Sequence, residues 1–426
     1  MEETLWYMQR DILEIIFSHL DGVSLSRAQQ VCALWNEVLR DMYERTSIWQ
    51  KCCEKEIPNE VLEEITSNLY PGWSHCGTET NWHCVYKAWR RWMRKRKTPC
   101  TVRSVFSSEE RLEWVTSVKA SGSCIVTGHK DGSIKFWSRF SGFLGGVFHH
   151  ARAVTDLGLM IYNPKGNLFI QNTKWDVRHN LLISTSKDRS IKIINLETGF
   201  TSWSLTCHLM QTCMVRSYKE MFAVLSLDDI VSLWKICSLE FDKEPPLLIA
   251  TVAFQQLPVC AISIWRYKFS GLSVDARRFW RDKICPGDLA VLDEDFVHFE
   301  GVTECQMLEA HAWRDNIYTW ITSGHTIYVA VDNKAVQYNT MQDLRSYPVT
   351  ILLYGNILFL GMESGDVILY FFKDREDLLN LDLKNHHRRF SFQHSPVSAL
   401  DIVEYDTCTA IVVGTLKNVY CVNLVY

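Results

Sequence analysis

The chain has 426 residues, enough for two or three domains with substantial cores. Its composition, 47% apolar and 22% charged, is that of a folded water-soluble protein, and a net charge of −4 gives no global case for nucleic acid or an anionic membrane as partner. Glu2, Glu3, Arg10 and Asp11 surround the first short apolar run, which excludes a signal peptide, and no stretch approaches the roughly 18 to 20 apolar residues of a membrane span. The 15 cysteines are odd in number and scattered, with no Cys-x-x-Cys pair, so reduced thiols of the cytosol or nucleus are expected.

The first segment is helical in period. Ile12, Ile15, Ile16 and Leu20, then Val31, Leu34, Trp35 and Leu39, recur at helical spacing, broken by a turn at Asp21-Gly22. Helices this short cannot bury both apolar faces against each other, so part of the surface should be a docking site. The run Ile15-Ile16-Phe17-Ser18-His19-Leu20-Asp21, with Leu25, Val31-Cys32-x-x-Trp35 and Trp49, resembles an F-box. Met8-Gln9 stand where F-boxes usually open with Leu-Pro. The resemblance implies binding to the adaptor Skp1 through Ile12, Ile16, Leu20, Leu25, Val31, Cys32, Trp35, Leu39 and Trp49.

Glu54 to Glu64 is Glu-rich and helix-like, Pro71-Gly72 breaks it, and Asn81 to Lys97 resumes a helical stripe of Trp82, Val85, Trp89 and Trp92. Lys87, Arg90, Arg91 and Arg94 to Lys97 lie largely off that stripe. The expected role is a linker helix with packed tryptophans and a solvated basic face, and a nuclear localisation signal is the competing reading. His75-Cys76 and His83-Cys84 do not have the spacing of a structural zinc site, because adjacent helical residues diverge by about 100°.

From about residue 110 the pattern changes to short strands between tight turns. Ile125 to Trp137 reads as a hairpin with its turn at Asp131-Gly132 and apolar residues three and six positions after the Asp. The frame returns at Asp188 (Ile191, Ile194) and Asp228 (Val231, Trp234). Weaker copies are expected at Asp293, Asp332, Ser364 and Leu416, with an Arg-rich insertion around Tyr267 to Cys285. The anchors average 47.5 residues apart, the period of a β-propeller. These units resemble WD40 repeats, although none ends in Trp-Asp and the chain's one Trp-Asp pair, Trp175-Asp176, falls outside the frame. His150 and His394 stand where such units carry a His before the first strand. Cys100 to Phe106 is expected to close the ring as the missing fourth strand of the last unit.

The chain is thus expected to be an α+β multidomain protein: an F-box helical domain at 1–50, a helical linker at 51–99, and an all-β propeller of WD40 type at 100–426. Seven blades are expected, with six and eight left open. The combination is similar to the F-box/WD-repeat proteins, and its eroded repeats resemble the F-box/WD repeat-containing protein 12 subgroup. That resemblance implies a substrate-recognition subunit of a Skp1–cullin–F-box ubiquitin ligase, in contact through Skp1 with cullin-1 and a RING subunit. Such a subunit acts by proximity, without catalytic residues, cofactor or metal, and is cytoplasmic with room for a nuclear pool. No phosphate loop, nucleophile elbow or His-Glu-x-x-His is present, in keeping with a non-enzyme. Lys130, Arg152, Lys187 and Arg189 would form a basic sector of the propeller rim for a protein substrate. Asp228, Asp229, Asp293, Glu294 and Asp295 would form an acidic one, which favours a bipolar or unmodified segment over a multiply phosphorylated one. The alternatives are a WD-repeat scaffold outside any ligase and a nuclear adaptor resting on residues 87–97.

Overall fold

The computed structural model describes residues 2–70, 80–93, 100–108, 110, 113–142, 144–160, 181–196, 199–236, 244–253, 259–265, 268–273, 278–283, 295–298, 308–314, 316–322, 326–392, 395–404 and 409–424. Six helices come first: α1 (Glu2–Ser18), α2 (Gly22–Ala28), α3 (Ala33–Arg45), α4 (Ile48–Glu56), α5 (Asn59–Leu69) and α6 (Trp82–Met93). The Asp21-Gly22 break starts α2 by a specific device. The Asp21 carboxylate accepts the Ser24 N–H at 2.7 Å, capping the helix. Gly22 lies so close to the Tyr86 ring that a Cβ there would fall 2.4 Å from Cζ, so no side chain fits.

The helices share one core. It runs from Phe17, Leu25 and Leu39 through Trp49, Cys53 and Ile65 to Trp89 and Trp92, and continues into Tyr354, Phe359, Ile402 and Val413 of the sheets. The expected boundary at residue 50 therefore falls inside α4, and the two expected helical domains are one packed unit. Glu56 is a cross-brace within it, accepting from Gly22 N–H at 2.8 Å and from the Tyr86 hydroxyl at 2.6 Å.

The remaining chain forms a β-propeller. Among the described residues there are seven four-stranded antiparallel sheets, spanning 115–149, 154–205, 212–253, 259–298, 308–339, 348–391 and 397–424. We number these blades one to seven. The seventh takes its fourth strand from Cys100–Ser107, which pairs antiparallel with Asn418–Leu424. The innermost strands touch in a cycle from blade one to blade seven and back, so the ring has no open inner edge. Buried apolar side chains of the second and third strands fill the spaces between blades.

Five of the seven expected turn anchors fall between the second and third strands of a blade, at Asp131, Asp188, Asp228, Ser364 and Leu416. The other two are displaced. Asp332 sits between the third and fourth strands of blade five, and Asp293 lies outside the described residues, just before the outermost strand Asp295–His298 of blade four. The expected insertion at 267–285 is instead the second and third strands of blade four, Lys268–Ser273 and Arg278–Lys283. The sequence Arg-Phe-Trp-Arg-Asp-Lys lacks the period-two alternation that marks the other blades. Trp175-Asp176 and His394 lie outside the described residues.

Candidate functional site

The antiparallel meander gives the ring two unlike ends. Turns between first and second strands lie at one end, while turns between second and third strands and the loops entering each blade lie at the other. The helical unit occupies the first end. Glu64 of α5 pairs with Arg314 at 2.6 Å and accepts the Gly355 N–H at 2.6 Å. Glu63 accepts from the Tyr218 hydroxyl at 2.7 Å, Glu60 pairs with Arg375 at 2.7 Å, and Asn68 donates to the Ile402 carbonyl at 3.3 Å. Burial pushes the Glu64 carboxyl above its usual range, opposed by the Arg314 charge.

Glu404 is the deepest joint. It receives the Trp92 indole N–H, the Thr409 hydroxyl and, at 3.2 Å, the Tyr354 hydroxyl. Desolvation raises its carboxyl, and the three donors oppose that shift. Thus α5 and α6 are fastened to blades three, five, six and seven by charge-assisted bonds around a continuous apolar core.

The expected adaptor residues separate into two groups. Ile12, Ile16 and Val31 are 54%, 49% and 61% exposed, Ile15 joins them, and Cys32 is exposed. Leu25, Leu39 and Trp49 are buried, and Leu20 and Trp35 are half-buried. Within the second group, the buried Leu25, Leu39 and Trp49 are corrected from contact surface to support. Leu25 and Leu39 fill the helical core, Trp35 packs edge-on against Phe17 at 5.3 Å, and Trp49 stacks on His83 at 4.3 Å. Arg10 pairs with Asp41, and Arg45 with Glu14 at 2.5 Å, which locks α1 to α3 beneath the exposed isoleucines. The side chains of Met8 and Gln9 lie outside the described residues.

His83 is packed on Trp49, and burial pushes its imidazole down to about 4. Among the described residues no group of three or more His, Cys, Asp or Glu is placed to hold a metal. His75-Cys76 lie outside them. No described helix is long and apolar enough to cross a membrane.

At the opposite end of the ring Arg152, Lys187 and Arg189 come together with Asp188, Leu209, Met210 and Gln211 around a cavity of about 370 Å³. Lys130 does not join them, because its ammonium sits over the Trp114 ring at 4.8 Å. Asp228 and Asp229 occupy the adjoining turn of blade three, as the expected acidic sector requires, but Asp295 opens an outer strand and leaves that face. Asp293 and Glu294 are outside the described residues. Leu209 and Met210 were not anticipated. Their signal is an apolar pair in an otherwise polar loop between strands.

Three buried networks hold this end rigid. In blade two, His150 meets Ser184 and Ser190 hydroxyls at 2.8 Å each, while Asp188 accepts the Ala151 and Ser190 N–H groups at 2.8 Å each. In blade three, Trp234 donates to Ser232 at 2.8 Å, and Ser232 meets His208 at 2.9 Å. In blade one, Trp137 donates to Thr127 at 2.9 Å, which meets His129 at 2.7 Å. Burial lowers all three imidazoles, His150 to about 4, so they are neutral.

The class of protein so described is a WD40-like propeller with a helical unit fastened to one end and a charged cavity at the other. The family model for the F-box domain matches residues 8–46. F-box/SPRY domain-containing protein 1 of Drosophila willistoni is 40% identical over 53 residues, 12% of this chain and 20% of that protein. Its counterpart in Drosophila sechellia is 30% identical over 79 residues, 18% of this chain and 28% of that protein. The chain thus covers 20 to 28% of the length of these relatives. Among solved structures, the RRP9 WD40 repeats superpose with a TM-score of 0.58 at 14% identity, covering 77% of this chain and 99% of that one. The structure of U3-55K gives 0.57 at 14%, covering 76% and 98%. At that identity the likeness is one of fold.

Proposed function

We propose that this chain is the substrate-recognition subunit of a Skp1–cullin–F-box ubiquitin ligase, its helical unit docking on Skp1 and its seven-bladed ring holding the protein to be ubiquitinated. F-box domains generally bind Skp1, and the F-box match at residues 8–46 falls on α1 to α3 of the helical unit. The observation that carries the reading is the exposed stripe Ile12, Ile15 and Ile16 with Val31, standing on a fully packed core. Four exposed large aliphatic side chains, left uncovered by the described residues, are what a docking surface presents. The fastening of α5 and α6 to the ring supports a second part of the reading. A receptor that raises substrate concentration near a remote thioester needs its adaptor end and its substrate end held at a fixed separation. The resemblance to the F-box/WD repeat-containing protein 12 subgroup belongs to this proposal too, on the strength of the compact helical unit and the eroded repeats, as does a cytoplasmic and nuclear distribution.

The test is reconstitution. The full chain, mixed with Skp1, cullin-1 and a RING subunit, is expected to elute as one complex on gel filtration. Elution of the chain apart from Skp1 would remove the ligase reading and leave the WD-repeat scaffold.

A further inference from the structure

The cavity between blades two and three has walls of two kinds. Arg152, Lys187 and Arg189 bring three positive charges, and none has an ion-pair partner among the described residues. Arg189 makes one long contact, donating to the Leu209 carbonyl at 3.4 Å. The one carboxylate in the lining is Asp188, whose oxygens are engaged by Ala151, Ser190 and His150. The other wall is apolar: Leu209 is 80% exposed, and Met210 lies half in water beside it. At about 370 Å³ the cavity lies within the range of roughly 300 to 1,000 Å³ that holds small ligands or one or two side chains.

The backbone fixes where Arg189 sits. Blades one and six place glycine after the second strand's turn, Gly132 and Gly365, with φ of 92° and 87°, and blade three places Asp229 there with φ of 59°. Blade two places Arg189 in this shared left-handed turn position with φ of 73°, a conformation a side chain disfavours.

We propose, resting on the receptor reading above, that this cavity takes a short peptide segment in which a large aliphatic side chain stands next to a glutamate or aspartate. Leu209 and Met210 receive the aliphatic group, and Arg152, Lys187 and Arg189 receive the carboxylate. A carboxylate suits the site better than a phosphate. The Leu227 N–H donates to the Gln211 carbonyl at 2.9 Å, which brings the Asp228-Asp229 turn against the cavity wall. Asp188 in the lining partly offsets the three cations, so the larger desolvation cost of a dianion is less fully compensated here than that of a monoanion.

The test uses the full chain purified with Skp1 and a spot array of short peptides that combine leucine, glutamate, glutamine and phosphoserine in every order. Retention is expected on peptides with leucine beside glutamate, about tenfold above their glutamine counterparts. Lys187→Glu with Arg189→Glu should abolish that preference. Leu209→Ser should lower retention about tenfold on every leucine peptide, with co-purification of Skp1 unchanged as the check on folding. Equal retention on glutamate and glutamine, stronger retention on phosphoserine, indifference to these substitutions, or no retention at all would each overturn the proposal. Skp1 binding is read separately, so failure of the cavity and failure of the ligase reading are distinguishable.

Discussion

His150 exchanges water for the side-chain oxygens of Ser184, Ser190 and Asp188, and burial holds its imidazole near 4 instead of its ordinary 6.5. The unfolded chain therefore binds a proton near pH 6.5 that the folded chain refuses until about pH 4. Stability contributed at this position is present above the upper value and lost as pH falls through the window. Denaturant titrations across it should show the wild type losing roughly 2 kcal/mol more than His150→Gln. Parallel curves would show that the imidazole is not buried as described. Arg189 makes a different statement. Its left-handed backbone disfavours the folded state, so Arg189→Gly should leave stability unchanged or raise it by up to ~1 kcal/mol, while removing a cation from the cavity. A raised melting temperature with weaker peptide retention is the expected pair of outcomes, and clear destabilisation contradicts it.

Among the elements, α5 and α6 decide how the helical unit sits on the ring. Arg314 is 4% exposed, and its charge is answered by Glu64. Glu64→Ala would leave that guanidinium buried without its partner, at a cost of about 3 kcal/mol, read as a lower melting temperature and faster proteolysis of α5. An unchanged melting temperature would mean that the pair carries no part of the joint. This joint was only half legible in the sequence. The Trp82, Val85, Trp89, Trp92 stripe announces an amphipathic helix, and Val85, Trp89 and Trp92 are indeed buried. Nothing local announces that Glu404, more than 300 residues away, receives the Trp92 indole. The blades follow the same rule. Asp131-Gly132 and Asp188 are legible because the turn chemistry and the strand alternation coincide there. In blade four the third strand sets Phe279 and Trp280 side by side between charged residues, so the alternation that marks a strand is absent and the segment resembles an insertion. In the helical unit, periodicity selected the apolar residues without telling which side of each helix is covered. Leu25, Leu39 and Trp49 carry the same apolar signal as Ile12 and Ile16, although packing buries the first three and exposes the other two.

The whole molecule is a ring with a helical unit on one end and an open charged cavity on the other. In blades one to three the buried His129, His150 and His208 are neutral, hydrogen-bonded parts of the blades, and Arg152, Lys187 and Arg189 line the cavity at the free end. The proposed function depends on whether the exposed stripe of α1 is read by an adaptor. The most direct measurement is the affinity of Skp1 for the full chain, by titration calorimetry, beside that of Ile16→Asp. Ile16 is half exposed and outside the buried core, so the substitution should leave the melting temperature unchanged. It should weaken Skp1 binding by about 30-fold or more, the loss of an interface side chain contributing about 2 kcal/mol. Equal affinity for the two proteins, or no binding of Skp1 by the wild type, would contradict the account.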